Sequence, residues 1–300
     1  MSKANHNHPT LRLNNGVHMP ALGLGVYQSS PDQTVDAVAT AIADGYRLID
    51  TAAAYYNERE VGAGIARSGV ARSELFITTK LWMSDYGYDR TLHAFDVSLR
   101  KLGLDYLDLY LLHWPVPTDF KATLASWKAA EKLLADGRVR AIGVCNFSER
   151  DLDALASESS VTPAVNQVEL HPFFNQKALR DADAQRGIIT QAWSPIGGIN
   201  RYFNDKGAAQ DPLVHPVIAN LATQHGKTPA QIVLRWHIEH GLSAIPKSVR
   251  AERIAENFDI FDFTLSAEEV AAVDALDSGV RGGPDPDRVN THMFTNTIED

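Results

Sequence analysis

The 300-residue chain has a single cysteine, Cys145. One thiol excludes an intramolecular disulfide framework and any cysteine-rich zinc or iron–sulfur site. No run approaches the ~20 apolar residues of a membrane span, and the opening MSKANHNHPTLRLNNG carries no apolar signal core. Basic runs are missing too: 28 Lys+Arg stand against 37 Asp+Glu, a net charge of −9 with histidine neutral. That balance argues against a nucleic-acid binder that works by neutralising phosphates. It leaves room for an anionic small ligand, because a local pocket can be positive on a negative protein. The expectation is a reduced, soluble, cytoplasmic protein with no nucleic-acid or membrane partner. A glycine-rich dinucleotide fingerprint is also absent. Gly62-Ala63-Gly64 runs on into Ile65-Ala66-Arg67 without a third glycine, which disfavours a Rossmann dehydrogenase.

What is present is an ordinary globular composition, 44% hydrophobic and 22% charged, at a length that one closed α/β barrel commonly uses. Short apolar runs recur at Leu22–Val26, Tyr46–Thr51, Leu75–Lys80, Leu107–His113, Ala141–Asn146, Ala164–Glu169, Ile188–Trp193 and Leu242–Lys247. Helical spacing separates them. Leu92, Phe95, Leu99 and Leu102 step along one face, and so do Leu124, Trp127, Glu131 and Leu134 with one polar intruder. Val35, Val38 and Ile42 mark a further face after the helix start at Pro31-Asp32.

Parallel strands need long crossovers, and strands covered on both faces read as near-continuous apolar runs. Eight such units point to a (β/α)8 TIM barrel, with an open doubly wound sheet as the alternative. Alternation around Asn15-Gly16 predicts an N-terminal β-hairpin capping the barrel bottom. The chain reads as a single domain over residues 1–300, barrel over about 11–277 and irregular tail over 278–300. Ile196–Ala209 reads as a long functional loop.

In a barrel, residues at the C-terminal ends of the strands converge on one mouth. The residues closing the runs there include Asp50, Tyr55, Lys80, His113, Asn146, Gln167, Trp193 and Lys247. Each has a plainer reading alone: an aspartate bonding turn amides, a packing tyrosine, a satisfied core histidine. A lysine closing an apolar run is harder to place without a partner. Together, Asp50, Tyr55, Lys80 and His113 form a proton-transfer set. Tyrosine's ordinary pKa of ~10 is too high for facile exchange near neutrality. A lysine cation ~4 Å away at an effective dielectric of ~20 favours phenolate by about 4 kcal/mol before desolvation offsets it. Asp50 would keep that lysine charged, and His113 would align a carbonyl. Lys247, Arg250 and Arg253 cluster where the last strand enters a helix, an arrangement suited to an anion. Two other readings fit these residues: a barrel aldolase or isomerase using Lys80 as a Schiff-base nucleophile, and a non-catalytic barrel that binds a dinucleotide.

The segments GYRLIDTAAAYYNEREVG, LFITTKLW, LDLYLLHWP, IGVCNF, PAVNQVELHP and IPKSVRAERIAENFDIFDFTLS, in this order, resemble the aldo-keto reductases. The similarity is nearest to the microbial subgroup that includes 2,5-diketo-D-gluconate reductases and runs from about Leu11 to Asp277. The resemblance implies a (β/α)8 barrel that reduces aldehydes and ketones with a nicotinamide dinucleotide, NADPH in preference to NADH. It implies catalytic roles for Asp50, Tyr55, Lys80 and His113, the Asp-x4-Tyr spacing selecting Tyr55 over Tyr56. Asn146 and Gln167 would meet the carboxamide and Trp193 would stack on the nicotinamide. Ser194, Lys247, Ser248, Val249, Arg253, Glu256 and Asn257 would hold the phosphate end. Tyr27, Trp82 and Trp114 would wall the carbonyl pocket, finished by the Ile196–Ala209 loop and the tail after Gly279. No metal is expected; Glu169 and His171 read as a barrel-lining carboxylate and a loop histidine. A monomer is expected by analogy. Two positions depart from the subgroup: Cys145 stands where serine is usual, and Tyr56 where glycine is common.

Overall fold

The computed structural model describes residues 8–199 and 211–300. The chain opens on an antiparallel hairpin, β1 (Thr10–Arg12) and β2 (His18–Pro20). Eight strands follow: β3 (Gly23–Gly25), β4 (Leu48–Asp50), β5 (Phe76–Leu81), β6 (Leu107–Leu112), β7 (Val139–Cys145), β8 (Val165–Glu169), β9 (Ile189–Trp193) and β10 (Ser243–Ala244). They pair in chain order, all in parallel. The ends meet through bridges Leu22–Ala244 and Gly25–Lys247, with the Gly25 amide donating to Pro246 O at 3.0 Å. The protein is therefore a closed (β/α)8 barrel, and the open-sheet alternative falls. The seam requires its glycine. A Cβ on Gly25 would stand 2.9 Å from the carbonyl oxygen of Ile245, the residue directly after the last strand.

All eight expected strands form, with shifted ends. The run Leu242–Lys247 keeps only Ser243–Ala244 as regular strand, because Pro246 has no N–H to donate to a ladder. The hairpin lies where the sequence placed it. Asn14 Nδ2 donates to Pro163 O at 2.9 Å and Asn15 Nδ2 to Arg140 O at 2.8 Å, both at strand N-terminal ends. Leu13 and Met19 close the barrel interior against Leu48, Phe76, Leu109 and Leu111. At this same bottom end, buried Asp108 accepts from Arg72 (2.6 Å), Arg140 (2.7 Å) and the Ile77 amide (2.9 Å).

The helices α1 (Pro31–Asp44), α2 (Glu58–Ser68), α3 (Tyr88–Leu102) and α4 (Phe120–Ala135) wrap the first half of the barrel. In α4 the inward face is not the one apolar spacing picks out. Thr123, Ser126, Trp127, Ala130 and Leu133 are buried, whereas Leu124, Glu131 and Leu134 lie at its edges. Hydrogen bonds set this rotation: Thr123 Oγ1 donates to Pro115 O at 2.8 Å, and Ser126 Oγ accepts from the Gly87 amide at 2.8 Å. Pairing polar atoms in the interface offsets the cost of burying them.

Helices α2 and α3 touch backbone to backbone at Gly62, where an added Cβ would collide with the Leu102 carbonyl. Gly62→Ala is expected to lower unfolding stability by about 1–3 kcal/mol through overpacking, despite alanine's better helix propensity. Urea denaturation checks this; a variant as stable as the parent would show that the helices can separate freely.

Candidate active site

The barrel mouth is built by strand ends. β4 ends at Asp50, and the next residues turn through the 3-10 segment Ala53–Tyr55. β5 carries Lys80 beside it in register, Asp50 pairing with Thr78. His113 follows β6, Asn146 follows β7, Gln167 lies on β8, and Trp193 closes β9. The turns that aim these groups are strained. Gln28, Asn146 and Ser194 line the mouth with positive φ (55°, 63° and 51°), and Tyr56 beside it has φ 56°. Sparsely populated backbone of this kind persists where surrounding structure holds it, commonly at functional sites.

Lys80 Nζ is fully buried and has three acceptors: Asp50 Oδ1 at 2.5 Å, Thr51 O at 2.9 Å and the Tyr55 hydroxyl at 3.3 Å. Asp50 uses its other oxygen to accept from Gln167 Nε2 at 2.8 Å. The same Nε2 donates to Gln191 Oε1 at 2.7 Å, and Gln191 Nε2 donates to Ser243 Oγ at 2.9 Å. A chain of polar contacts thus crosses the barrel below the mouth. Asn146 Nδ2 donates to His113 O at 3.1 Å and its Oδ1 accepts from Trp193 Nε1 at 2.9 Å, fixing the indole plane.

Burial sets the protonation states. It is the largest single influence on Lys80 and would depress it, but the charge and hydrogen bond of Asp50, with Tyr55 and Cys145 adding, together hold the ammonium above its ordinary value. Burial pushes the Tyr55 phenol up to about 12, against the pull of Lys80 and with Asp50 adding to the rise. Desolvation exceeds the lysine's pull, so the site keeps the phenol protonated. Burial, then the Lys80 charge, lower His113 well below the ordinary histidine value, and among the described residues its Nδ1 has no hydrogen-bond partner. The Cys145 thiol is buried and pushed up, an environment that suppresses nucleophilicity.

Asp50, Tyr55 and His113 line one cleft of about 750 Å³, while Lys80 and Cys145 are not on its wall. Its walls include Tyr27, Trp82 and Trp114 near the proton-transfer set, and Asn146, Gln167 and Trp193 along one side. Ser194, Lys247, Ser248, Arg253, Glu256 and Asn257 line its far end. Val249 does not join them; its side chain packs against the core. Arg250 stands exposed as the N-cap of the helix Ala251–Phe258. Burial lowers Lys247, while Glu256 is engaged by Thr228 Oγ1 at 2.7 Å. Of the expected loop, Ile196, Gly198 and Ile199 line the cleft; residues 200–209 lie outside the described residues.

The C-terminal tail adds walls that strand-end reasoning did not name: Pro284, Phe294 and Asn296. Buried Glu169 ties it down, accepting from the Gly282 and Gly283 amides at 2.7 and 2.9 Å and contacting His171 Nε2 at 3.1 Å. Gly283 passes so near Trp193 that a Cβ there would stand 2.7 Å from the indole. The Gly-Gly pair before a proline was the available signal, but its partner is more than a hundred residues away.

A closed parallel barrel that gathers a buried Lys–Asp pair, a tyrosine and a histidine at its mouth has an arrangement suited to proton transfer. The Aldo/keto reductase family matches residues 19–278, and the chain belongs to it, and so to the oxidoreductases. It is 58% identical over 97% of its length to the morphine 6-dehydrogenase of Pseudomonas putida, covering 98% of that protein. It is 47% identical to the methylglyoxal reductase of Escherichia coli, over 94% of this chain and 98% of that one. Among solved structures, the aldo-keto reductase of Bombyx mori in complex with NADP superposes with a TM-score of 0.84 at 38% identity, covering 92% of this chain and 95% of that one.

Because His113 is held neutral until pH falls well below the ordinary value, the activity profile is expected to show no inflection near pH ~6.5. Tyr55 keeps its phenolic proton through the same range and loses it only as pH rises through about 12. Turnover measured across neutral pH checks this. An inflection near 6.5 that vanishes in His113→Gln would show that the imidazole titrates.

Proposed function

We propose that the protein reduces aldehydes and ketones, with dicarbonyls and keto sugars as the favoured class, to alcohols using NADPH, with Tyr55 as general acid. The observation that carries this reading is the buried Lys80 ammonium bonded at once to Asp50 and the Tyr55 hydroxyl beneath an aromatic cleft. The cleft suits a nicotinamide dinucleotide: polar carboxamide partners and an indole near the tyrosine, basic groups and a helix start at the other end. When bound, the dinucleotide supplies a hydride to the carbonyl carbon.

The chain's own residues supply the rest. Tyr55 donates its proton to the carbonyl oxygen as negative charge develops there, and the Lys80 ammonium stabilises the phenolate left behind. Asp50 keeps that ammonium charged and oriented. Neutral His113 retains one N–H with which to hold the carbonyl oxygen. The aromatic walls limit water at the reacting centre. Because Lys80 stays protonated, it is poorly suited to attack a carbonyl as a free amine, which disfavours the Schiff-base reading.

Oxidation of NADPH by methylglyoxal, an aromatic aldehyde and a diketo sugar acid tests the activity directly; absence of aldehyde-dependent turnover across that panel would refute it. Tyr55→Phe is expected to lower kcat by about 10²-fold or more with NADPH affinity retained. Undiminished turnover in that variant would remove Tyr55 as the acid. The proposed preference for NADPH rests on Lys247 and exposed Arg253 at the far end of the cleft. Arg253→Ala is expected to raise KM for NADPH about tenfold while leaving NADH nearly unchanged; an equal loss for both would reject contact with the 2′-phosphate.

A further inference from the structure

Tyr56 occupies a conformation that suits glycine, φ 56° and ψ 25°, and is one of the exposed large apolar residues of the surface. A side chain held there without compensation is unfavourable, so its contacts matter. Its hydroxyl donates to Thr297 O at 3.3 Å and accepts from Asn296 Nδ2 at 2.9 Å, more than two hundred residues along the chain. From the other side, Trp82 Nε1 donates to Asn296 O at 3.0 Å. The tail is thus pinned at one residue by a backbone contact and a side-chain contact. Two positions earlier, Phe294 meets the Trp82 ring edge-on with centroids 6.0 Å apart. Phe294 and Asn296 line the cleft, whereas Tyr56 itself does not.

We propose that Tyr56 is a specificity-determining residue that acts through the C-terminal tail: by clipping Asn296 and Thr297 it fixes Phe294 as the outer wall of the substrate mouth. This rests on the carbonyl-reductase reading of the cleft. Tyr55 and Tyr56 divide the work of one turn, the first facing the reacting carbonyl and the second the segment that shapes its far side. A small dicarbonyl reaches the proton-transfer set without touching Phe294. A carbonyl bearing an aromatic ring extends to the wall and gains from its fixed position. The effect therefore falls on KM for large substrates and spares the chemical step.

Two variants separate this role from a merely structural one. Tyr56→Phe removes the hydroxyl and keeps the strained backbone; Tyr56→Gly removes the hydroxyl and relieves the strain. With NADPH present, both are expected to raise KM for phenylglyoxal roughly three- to tenfold, the span of one or two modest hydrogen bonds. Their kcat and their methylglyoxal kinetics should stay within about twofold of the parent. Amide exchange over residues 290–297 should be faster in both. A loss in Tyr56→Phe that Tyr56→Gly does not share would assign the effect to the turn and overturn the clip. So would equal losses on both substrates, or unchanged KM and unchanged exchange. If the parent turns over neither substrate, the carbonyl reading fails and the specificity role with it, while the exchange measurement still decides whether Tyr56 holds the tail.

Discussion

The site depends on an ammonium placed where water cannot reach it. A charged lysine inside a barrel is tolerated only when acceptors surround it, and removing one partner of such a buried pair costs about 3–5 kcal/mol. Lys80 meets that requirement with the Asp50 carboxylate, the Thr51 carbonyl and the Tyr55 hydroxyl. These acceptors come from the end of β4 and the turn directly after it. The β4–β5 register that pairs Asp50 with Thr78 consequently fixes the geometry of the tyrosine as well as of the ion pair. The constraint continues across the barrel. Asp50 is oriented by Gln167, Gln167 by Gln191, and Gln191 by Ser243 near the seam. Closing the barrel and holding the phenol are coupled through one chain of contacts.

The two ends of the barrel use buried carboxylates differently. Asp108, near the N-terminal ends of the strands, is saturated by Arg72, Arg140 and a backbone amide, and ties helices and strands together. Asp50, at the opposite end, touches a cation that is also bonded to a hydroxyl at the cleft. Glu169 is a third case: it lies at the mouth, yet its oxygens are taken up by His171 and two amides of the tail. Position at a strand's C-terminal end is therefore not enough to make a carboxylate catalytic. What distinguishes Asp50 is that its partner Lys80 also bonds the Tyr55 hydroxyl, the group we propose as the acid.

Much of this was legible in the residues. The apolar runs locate all eight strands because a strand covered on both faces must be apolar throughout, and polar residues closing such runs stand out against them. Asp50, Lys80 and His113 are visible for that reason. The α4 face was misread by one position because Thr123 and Ser126 are buried through hydrogen bonds, which apolar spacing does not register. The tail's part was invisible in detail. Glu169 meeting Gly282, and Tyr56 meeting Asn296, are contacts between segments far apart in sequence, and no local period encodes where an irregular segment travels. Val249 differs from its neighbours Ser248 and Arg253 in packing its side chain against the core, a direction that the sequence pattern does not encode.

The tyrosine itself shows how opposing terms must be summed before a role is assigned. A lysine beside a phenol suggests a depressed pKa, yet burial moves Tyr55 in the other direction, to about 12. Tyr46 and Tyr86, buried without an ammonium beside them, are pushed higher still. The lysine's contribution is to limit the rise. That is what a general acid needs: a proton held firmly before the carbonyl arrives, and a cation in place for the phenolate when it leaves. The same burial that holds the proton on Tyr55 also keeps His113 neutral. One physical cause, burial at the mouth, thereby acts on both the tyrosine and the histidine, and the ammonium opposes its effect on the tyrosine; on the proposed mechanism these are the acid and the orienting donor.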